Sequence, residues 1–236
     1  FFLLKSAGFG RLSLDILTNI QRQLLLEITQ VKDGGQFYLT GGTALAHFYL
    51  RHRRSEDLDF FTALPEIIPV FSVNLEKYLK EKGYQSKRHR GADTFIELEV
   101  LSGQESVLIH LAQDAAFRFH PTITAAEYPG LNIDNLEDIA ANKLLALFGR
   151  AMLRDFIDVY FLITKGRFSK KQLIDLAGKK DPGFDLYWMG VALERIHSFD
   201  QKSVDMLLLV EKADFMGIRS FFVEWLKEIV GLIKGV

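Results

Sequence analysis

Apolar residues recur with helical spacing near the start of the chain. Leu17, Ile20, Leu24, Ile28 and Val31 fall on one stripe. The spacing predicts an amphipathic helix over Ser13 to Val31, capped by Ser13. Lys-Asp-Gly-Gly follows, and Gly34 is expected to supply the left-handed stop. Phe37, Tyr38 and Leu39 then read as a short buried strand and Gly41-Gly42 as a bend. Thr43 to His52 reads as a helix that spaces Leu45, Phe48 and Tyr49. Asp57 to Thr62 reads as a second strand. A helix is expected from Ser72, its cap, to Lys82, with Gly83 as its stop. Thr94 to Leu101 and Ser106 to Ala112 alternate with period two, the pattern of a β-hairpin.

Beyond Asp134 the pattern is helical. Asn135 to Ile163 reads as one long helix, or two broken near Gly149. Ser169 to Ala177, Leu186 to His197 and Ile218 to Ile233 follow, the last with Phe222, Trp225, Leu226 and Ile229 on its apolar face. Lys179 to Asp185 is the clearest loop. The expected class is α+β: a core over residues 10–130 with a small mixed sheet flanked by helices, then a helical domain over 131–236. The text contains no internal repeat.

Composition narrows this picture. The 236 residues are 48% hydrophobic and 25% charged, an ordinary globular balance. The net charge of −1 provides no global attraction for polyanions, so any such affinity must come from local patches such as Arg51 to Arg54 and Ser86 to Arg90. The absence of cysteine excludes disulfides, thiolate zinc sites and cysteine catalysis. Phe1 to Leu4 is too short to span a bilayer and lacks the flanks of a signal peptide. The missing initiator Met suggests a trimmed or truncated start. A cytoplasmic protein without a membrane partner is expected.

The candidate chemistry lies in Phe37 to Phe61. On a strand, Asp57, Asp59 and Phe61 face one way and Leu58 and Phe60 the other. Same-face carboxylates stand about 7 Å apart at Cα, close enough to share one divalent ion or flank two. Their mutual repulsion calls for compensation by such an ion or by Arg51, Arg53 or Arg54. A strand, then Gly41-Gly42-Thr43, then a helix presents free N–H groups and the positive helix end to a phosphate. Each motif alone reads more readily as a plain turn, or as a solvated strand edge or a cap.

In this order they resemble the first motif of the polymerase-β-like nucleotidyltransferase superfamily. The fuller text Gly41-Gly42-Thr43-Ala44-Leu45 and Arg53-Arg54-Ser55-Glu56-Asp57-Leu58-Asp59-Phe60 is similar to the AbiEii/AbiGii toxin-type nucleotidyltransferases. A second block of that family resembles Ile139 to Leu162, with Lys143, Ala146, Leu147, Arg150, Arg154, Asp155 and Asp158 matching. Lys143, Leu147, Arg150, Arg154 and Asp158 step by three or four residues along one face, and Leu145, Phe148, Met152, Phe156 and Val159 form an apolar stripe beside it. From spacing alone, an Arg154–Asp158 surface pair explains the face equally well.

The resemblance implies a polymerase-β-like core and transfer of a nucleoside monophosphate from an NTP to a hydroxyl of RNA (tRNA included) or protein. Asp57 and Asp59 would hold Mg²⁺ or Mn²⁺. Gly41, Gly42, Thr43, Arg54, Ser55 and Lys143 would bind the nucleotide. Asp57, Asp59, Lys143 and Asp155 would be the catalytic set. A cognate antitoxin is the further partner implied. Many superfamily members carry a third carboxylate on a later strand; here that position is His110, with Glu97 and Glu99 on the preceding strand as substitutes. His110 therefore leaves open a second reading, a nucleotide-binding or interaction module without turnover.

Overall fold

Thr18 starts the first helix. Its hydroxyl accepts from the Gln21 N–H, and the Gln21 side chain accepts from the Thr18 N–H at 3.0 Å. This reciprocal pair satisfies two donors that a helix start leaves unpaired. The computed structural model describes residues 15–235 apart from 116, 206, 208 and 212. Helix α1 spans Asn19–Glu27, shorter than the apolar stripe implies, and the expected cap Ser13 lies outside the described residues. The stop also differs. Asp33 takes the left-handed backbone, with φ 69°, while Gly34 is needed for space: a Cβ there would sit 2.2 Å from the Ile28 carbonyl oxygen.

Strand β1 (Tyr38–Thr40) runs into helix α2 (Gly41–Ala44), which continues as a π-helical stretch, Leu45–Leu50. Strand β2 is Asp57–Thr62 and helix α3 is Ile68–Glu81. Ser72 lies inside α3, its hydroxyl donating to the Pro69 carbonyl at 2.7 Å. The helix starts earlier than expected because Pro65 and Pro69 set the turns around its beginning. Gly83 ends it with φ 89°. Strands β4 (Phe95–Ser102) and β5 (Glu105–Gln113) form the expected hairpin. Strand β3 (Gln85–Ala92) has no counterpart in the apolar pattern because every one of its residues is exposed. Strands β6 (Ile123–Thr124) and β7 (Asn132–Ile133) complete a mixed sheet of seven strands, ordered β3-β4-β5-β2-β1-β7-β6. β2 runs parallel to β5, and β1 parallel to β7.

The helical half comprises α4 (Leu136–Arg150), α5 (Leu153–Thr164), α6 (Lys170–Lys180), α7 (Leu186–Glu194), α8 (Gln201–Asp205) and α9 (Phe215–Lys234). The break between α4 and α5 falls at Ala151, φ 46°, rather than at Gly149. The cause is local: the Asp155 carboxylate accepts from the Met152 N–H and starts a new helix there. Met152 is consequently exposed and drops out of the expected apolar stripe. Leu39, Leu58, Phe60, Ile109 and Leu111 of the sheet and Leu144, Phe156, Phe222 and Trp225 of the helices belong to one continuous buried cluster.

A charged group ties the same two regions. The Asp158 side chain on α5 is fully buried. It accepts from Arg53 Nε at 2.7 Å and Nη2 at 2.9 Å, pairs with Lys143 Nζ of α4 at 2.8 Å, and lies 2.8 Å from His52 Nε2. Burial pushes its carboxyl up, but Arg53, Lys143 and the hydrogen bonds outweigh that and hold it well below the ordinary range. Burial lowers the His52 pKa against the pull of Asp158. Among the described residues its Nδ1 is buried without a partner, as suits the unprotonated nitrogen of a neutral ring.

Asp158→Ala strands two buried cations and is expected to cost about 3–5 kcal/mol in urea unfolding. A pH effect follows from the same cluster. Both His52 and Asp158 titrate below their ordinary values when folded, so on acidification the unfolded chain takes up their protons first. Their stabilising contribution is complete above about pH 6.5. It declines as pH falls through the His52 window, and again below about pH 4 toward the folded Asp158 value. The first decline should vanish from the Tm profile of His52→Gln relative to wild type.

Candidate active site

Alternation along β2 buries Leu58 and Phe60 and turns Asp57 and Asp59 to the opposite, open face. Register fixes their neighbours. Asp59 stands opposite Thr40 on β1 and His110 on β5, and His110 stands opposite Glu97 on β4. His110 Nδ1 lies 2.8 Å from Asp59 Oδ1, and its Nε2 lies 3.4 Å from Glu97 Oε2. The Asp59 hydrogen bond raises the His110 pKa; burial opposes it, and the charges of Asp59, Asp57 and Glu97 add to the rise. Asp57 is half-buried. Burial, then repulsion from Asp59, pushes its carboxyl up. Among the described residues its carboxylate has no hydrogen-bond or ion-pair partner.

The two glycines make room for this group. Gly41 has φ 70°, and a Cβ on it would lie 2.0 Å from Asp59 Oδ2. A Cβ on Gly42 would lie 2.5 Å from Ser55 Oγ and 2.9 Å from Arg53 Nη2. A carboxylate, a hydroxyl and a guanidinium thus rest against the bend itself. Arg53 cannot swing away, because Asp158 grips it. The Thr43 hydroxyl donates to the Asp57 carbonyl and ties the bend to β2. Arg54 Nε donates to the Asp15 carbonyl at 2.9 Å. Arg53, Arg54, Ser55, Asp57 and Arg154 line a cleft of about 110 Å³.

The second block arrives from the helical side. Lys143 is buried on Asp158. Asp155, also buried, accepts from Arg150 Nε at 2.9 Å and Nη2 at 2.8 Å. Asp155 raises the Arg150 pKa most, with Asp59 and Asp158 adding, so this half-exposed guanidinium sits within the field of the β2 carboxylate. Asp158 pairs with Arg53, Lys143 and His52 rather than with Arg154. Sequence reasoning missed His52 and the placement of Arg53 against Gly42. The available signal was a carboxylate on an otherwise apolar helix turn, which demands buried cations from somewhere.

A family model described as nucleotidyl transferase AbiEii toxin, Type IV TA system, matches residues 23–216. The chain belongs to this AbiEii nucleotidyltransferase toxin family. A relative from Aquifex aeolicus (strain VF5), the protein aq_aa25, is 30% identical over 172 residues, covering 70% of this chain and 76% of the relative. The fold is similar to the crystal structure of JHP933 from Helicobacter pylori, with TM-score 0.57, 20% identity and coverage of 93% of this chain and 95% of the other. It is also similar to MenT4, the nucleotidyltransferase toxin Rv2826c of Mycobacterium tuberculosis H37Rv, with TM-score 0.57, 18% identity and coverage of 88% and 82%.

Within this AbiEii-family chain, the donor set can be tested against the divalent ion the family implies. Among the described residues, no group of three or more histidine and acidic side chains converges into a closed metal site. What exists is an acidic pair with one unpartnered member. Mg²⁺ typically takes one or two carboxylates and draws its other ligands from phosphates and water, so the residues fit an ion that arrives with a nucleotide.

Gly41→Ala would force a left-handed backbone on a residue with Cβ, at about 1–2 kcal/mol, and displace Asp59 as well. Gly35→Ala, where a Cβ meets nothing within 4 Å, should be near neutral. Paired urea titrations of the two variants check the contrast.

Proposed function

We propose that the protein transfers a nucleoside monophosphate from an NTP to a hydroxyl of RNA or protein, as the toxin of a toxin–antitoxin pair. The observation that carries this reading is the Gly41-Gly42 bend, whose missing Cβ atoms admit Asp59, Ser55 and Arg53 beside the unpartnered Asp57. In this reading the N–H groups of the bend and the Ser55 hydroxyl bind the triphosphate. Arg53 and Arg54 before β2, with Arg150 and Arg154 on the helical side, offset its charge. Lys143 contributes its positive field while keeping Asp158 in place, and Asp155 aims Arg150. Asp57 and Asp59 would hold Mg²⁺ or Mn²⁺. Such an ion would supply charge neutralisation on the phosphate oxygens.

The acceptor oxygen then bonds to the α-phosphorus in line, its proton passes to solvent water, and the α–β bridging bond breaks to release pyrophosphate. The protein chiefly positions the reactants. Among the described residues no helix is long and apolar enough to cross a membrane, and a supply of NTP places the reaction in the cytoplasm. One observation favours the rival reading of nucleotide binding without turnover: His110, rather than a third carboxylate, adjoins Asp59.

Asp57→Asn and Asp59→Asn should each reduce labelled-nucleotide incorporation, with Mg²⁺ and cellular RNA or protein as acceptor, on the order of a thousandfold. Asp57→Asn should also raise the Tm of the ligand-free protein, because it removes an unpartnered charge next to Asp59. The NTP-plus-Mg²⁺ stabilisation, about 2.7 kcal/mol at a hundred times Kd, should be lost in this variant. Calorimetric NTP binding without transfer to any acceptor would favour the rival.

A further inference from the structure

A second cavity opens on the other side of the sheet. Register puts Ile123 of β6, Ile133 of β7, Leu39 of β1 and Phe60 of β2 on one face, turned away from Thr40 and Asp59. Ile123 and Ile133 line a cavity of about 680 Å³, which shares no lining residue with the cleft beside Asp57. One wall is the π-helical stretch Leu45–Leu50, a geometry frequent at functional sites. The Arg51 N–H closes that stretch on the Ala46 carbonyl at 2.8 Å. Arg51 itself takes the left-handed backbone, with φ 52°, which a residue with a side chain rarely adopts. It lines this cavity rather than the cleft of Arg53 and Arg54. Leu26 of α1 and Phe48 add apolar surface.

Polar groups converge here without hydrogen-bond partners. The His47 side chain is only 10% exposed. Among the described residues neither of its ring nitrogens has an aligned hydrogen-bond partner, although Nε2 lies 3.2 Å from Glu127 Oε1. Burial lowers the His47 pKa against the pull of Glu127, so the ring is neutral at pH 7 and offers one donor and one acceptor. Tyr128 is 4% exposed, and among the described residues its hydroxyl makes no hydrogen bond. The exposed Arg51 guanidinium has neither ion pair nor hydrogen bond among the described residues. The other guanidinium of the lining, Arg22, is paired with Asp15. The rings of His47, Phe48 and Tyr128 meet edge to face, with centroids 4.6 to 5.9 Å apart, and make this wall stiff.

The size and lining suit a small organic molecule. The apolar surfaces select a ring-sized body, and the unpaired guanidinium selects an anion, gripping a planar carboxylate through two N–H groups. Glu127 on the cavity wall and Asp15 at Arg22 oppose a phosphate dianion. We propose that this cavity binds a small aromatic carboxylate with a polar ring substituent: the acid on Arg51, the ring against Leu26, Phe48 and Ile123, the substituent at Tyr128 and His47. The site is separate from the β2 carboxylates and independent of the reaction assigned to them.

The test is calorimetric titration with 6-hydroxy-2-naphthoate, in EDTA and without NTP. Its comparators are 2-naphthol, which lacks the acid, 2-naphthoate, which lacks the hydroxyl, and inorganic phosphate. Wild type should bind 6-hydroxy-2-naphthoate saturably. Loss of the acid should weaken binding on the order of tenfold, and loss of the hydroxyl roughly threefold. Arg51→Gln should erase the advantage over 2-naphthol, and Tyr128→Phe the advantage over 2-naphthoate. Leu26→Trp, which fills the cavity from α1, should abolish binding, whereas Lys171→Gln, an equal charge change on an exposed helix, should alter nothing. Circular dichroism confirms that each variant folds; should Leu26→Trp not fold, the exposed Arg51→Gln still decides. No saturable binding by wild type, or equal affinity for any comparator, overturns the proposal. So does binding that Arg51→Gln leaves unchanged, or displacement of the naphthoate by ATP with Mg²⁺, which would put it at Asp57 instead.

Discussion

A single buried carboxylate sets the geometry of this protein. Asp158 lies where no water can solvate it, so its charge must be met by cations from the chain. Arg53 and His52 come from the segment between the Gly-Gly bend and β2, and Lys143 comes from α4. Meeting that requirement forces the first motif and the second block into one place. The docking is reinforced by the backbone: the His52 carbonyl accepts from Val210 and Glu211 N–H groups, and Arg53 bridges to Leu209. The arginine beside Gly42 is thereby presented with its orientation already fixed.

The sheet performs a second kind of positioning. Its pleat and register generate a row from Thr40 through Asp59 and His110 to Glu97. Adjacent strands hold these side chains at spacings that no loop would maintain. His110 in this row bonds Asp59 but reaches Asp57 only through its field. The site therefore carries one satisfied and one unsatisfied carboxylate, an asymmetry that costs stability and leaves an acidic group available to a ligand.

Much of this was legible in the residues, and the failures have physical causes. The order of strands and helices followed from period, and β2 was read to the residue because one of its faces is apolar and the other acidic. β3 was invisible: it buries nothing, so it has no alternation to read, and it pairs only because β4 offers an edge. Ser72 resembled a cap because Ser often is one, but prolines before it had already started the helix. A break near Gly149 was legible because glycine is a common breaker; that it falls at Ala151 is decided by Asp155, four positions beyond it. In the site, the spacing of Lys143 and Asp158 marked a charged helix face. Spacing along a helix says nothing about partners from other segments, so Arg53 and His52 were not anticipated as the groups that neutralise Asp158.

The α4–α5 break has a consequence of its own. One carboxylate, Asp155, both initiates α5 at Met152 and grips the Arg150 guanidinium at the end of α4. The kink and the aim of that arginine are therefore a single mechanical unit. Lengthening or shortening this junction by even one residue would rotate α5 by about 100°, separating the two roles and withdrawing Asp158 from its cations. Insertions and deletions that a surface loop would absorb are thus barred from this corner, however exposed its tip.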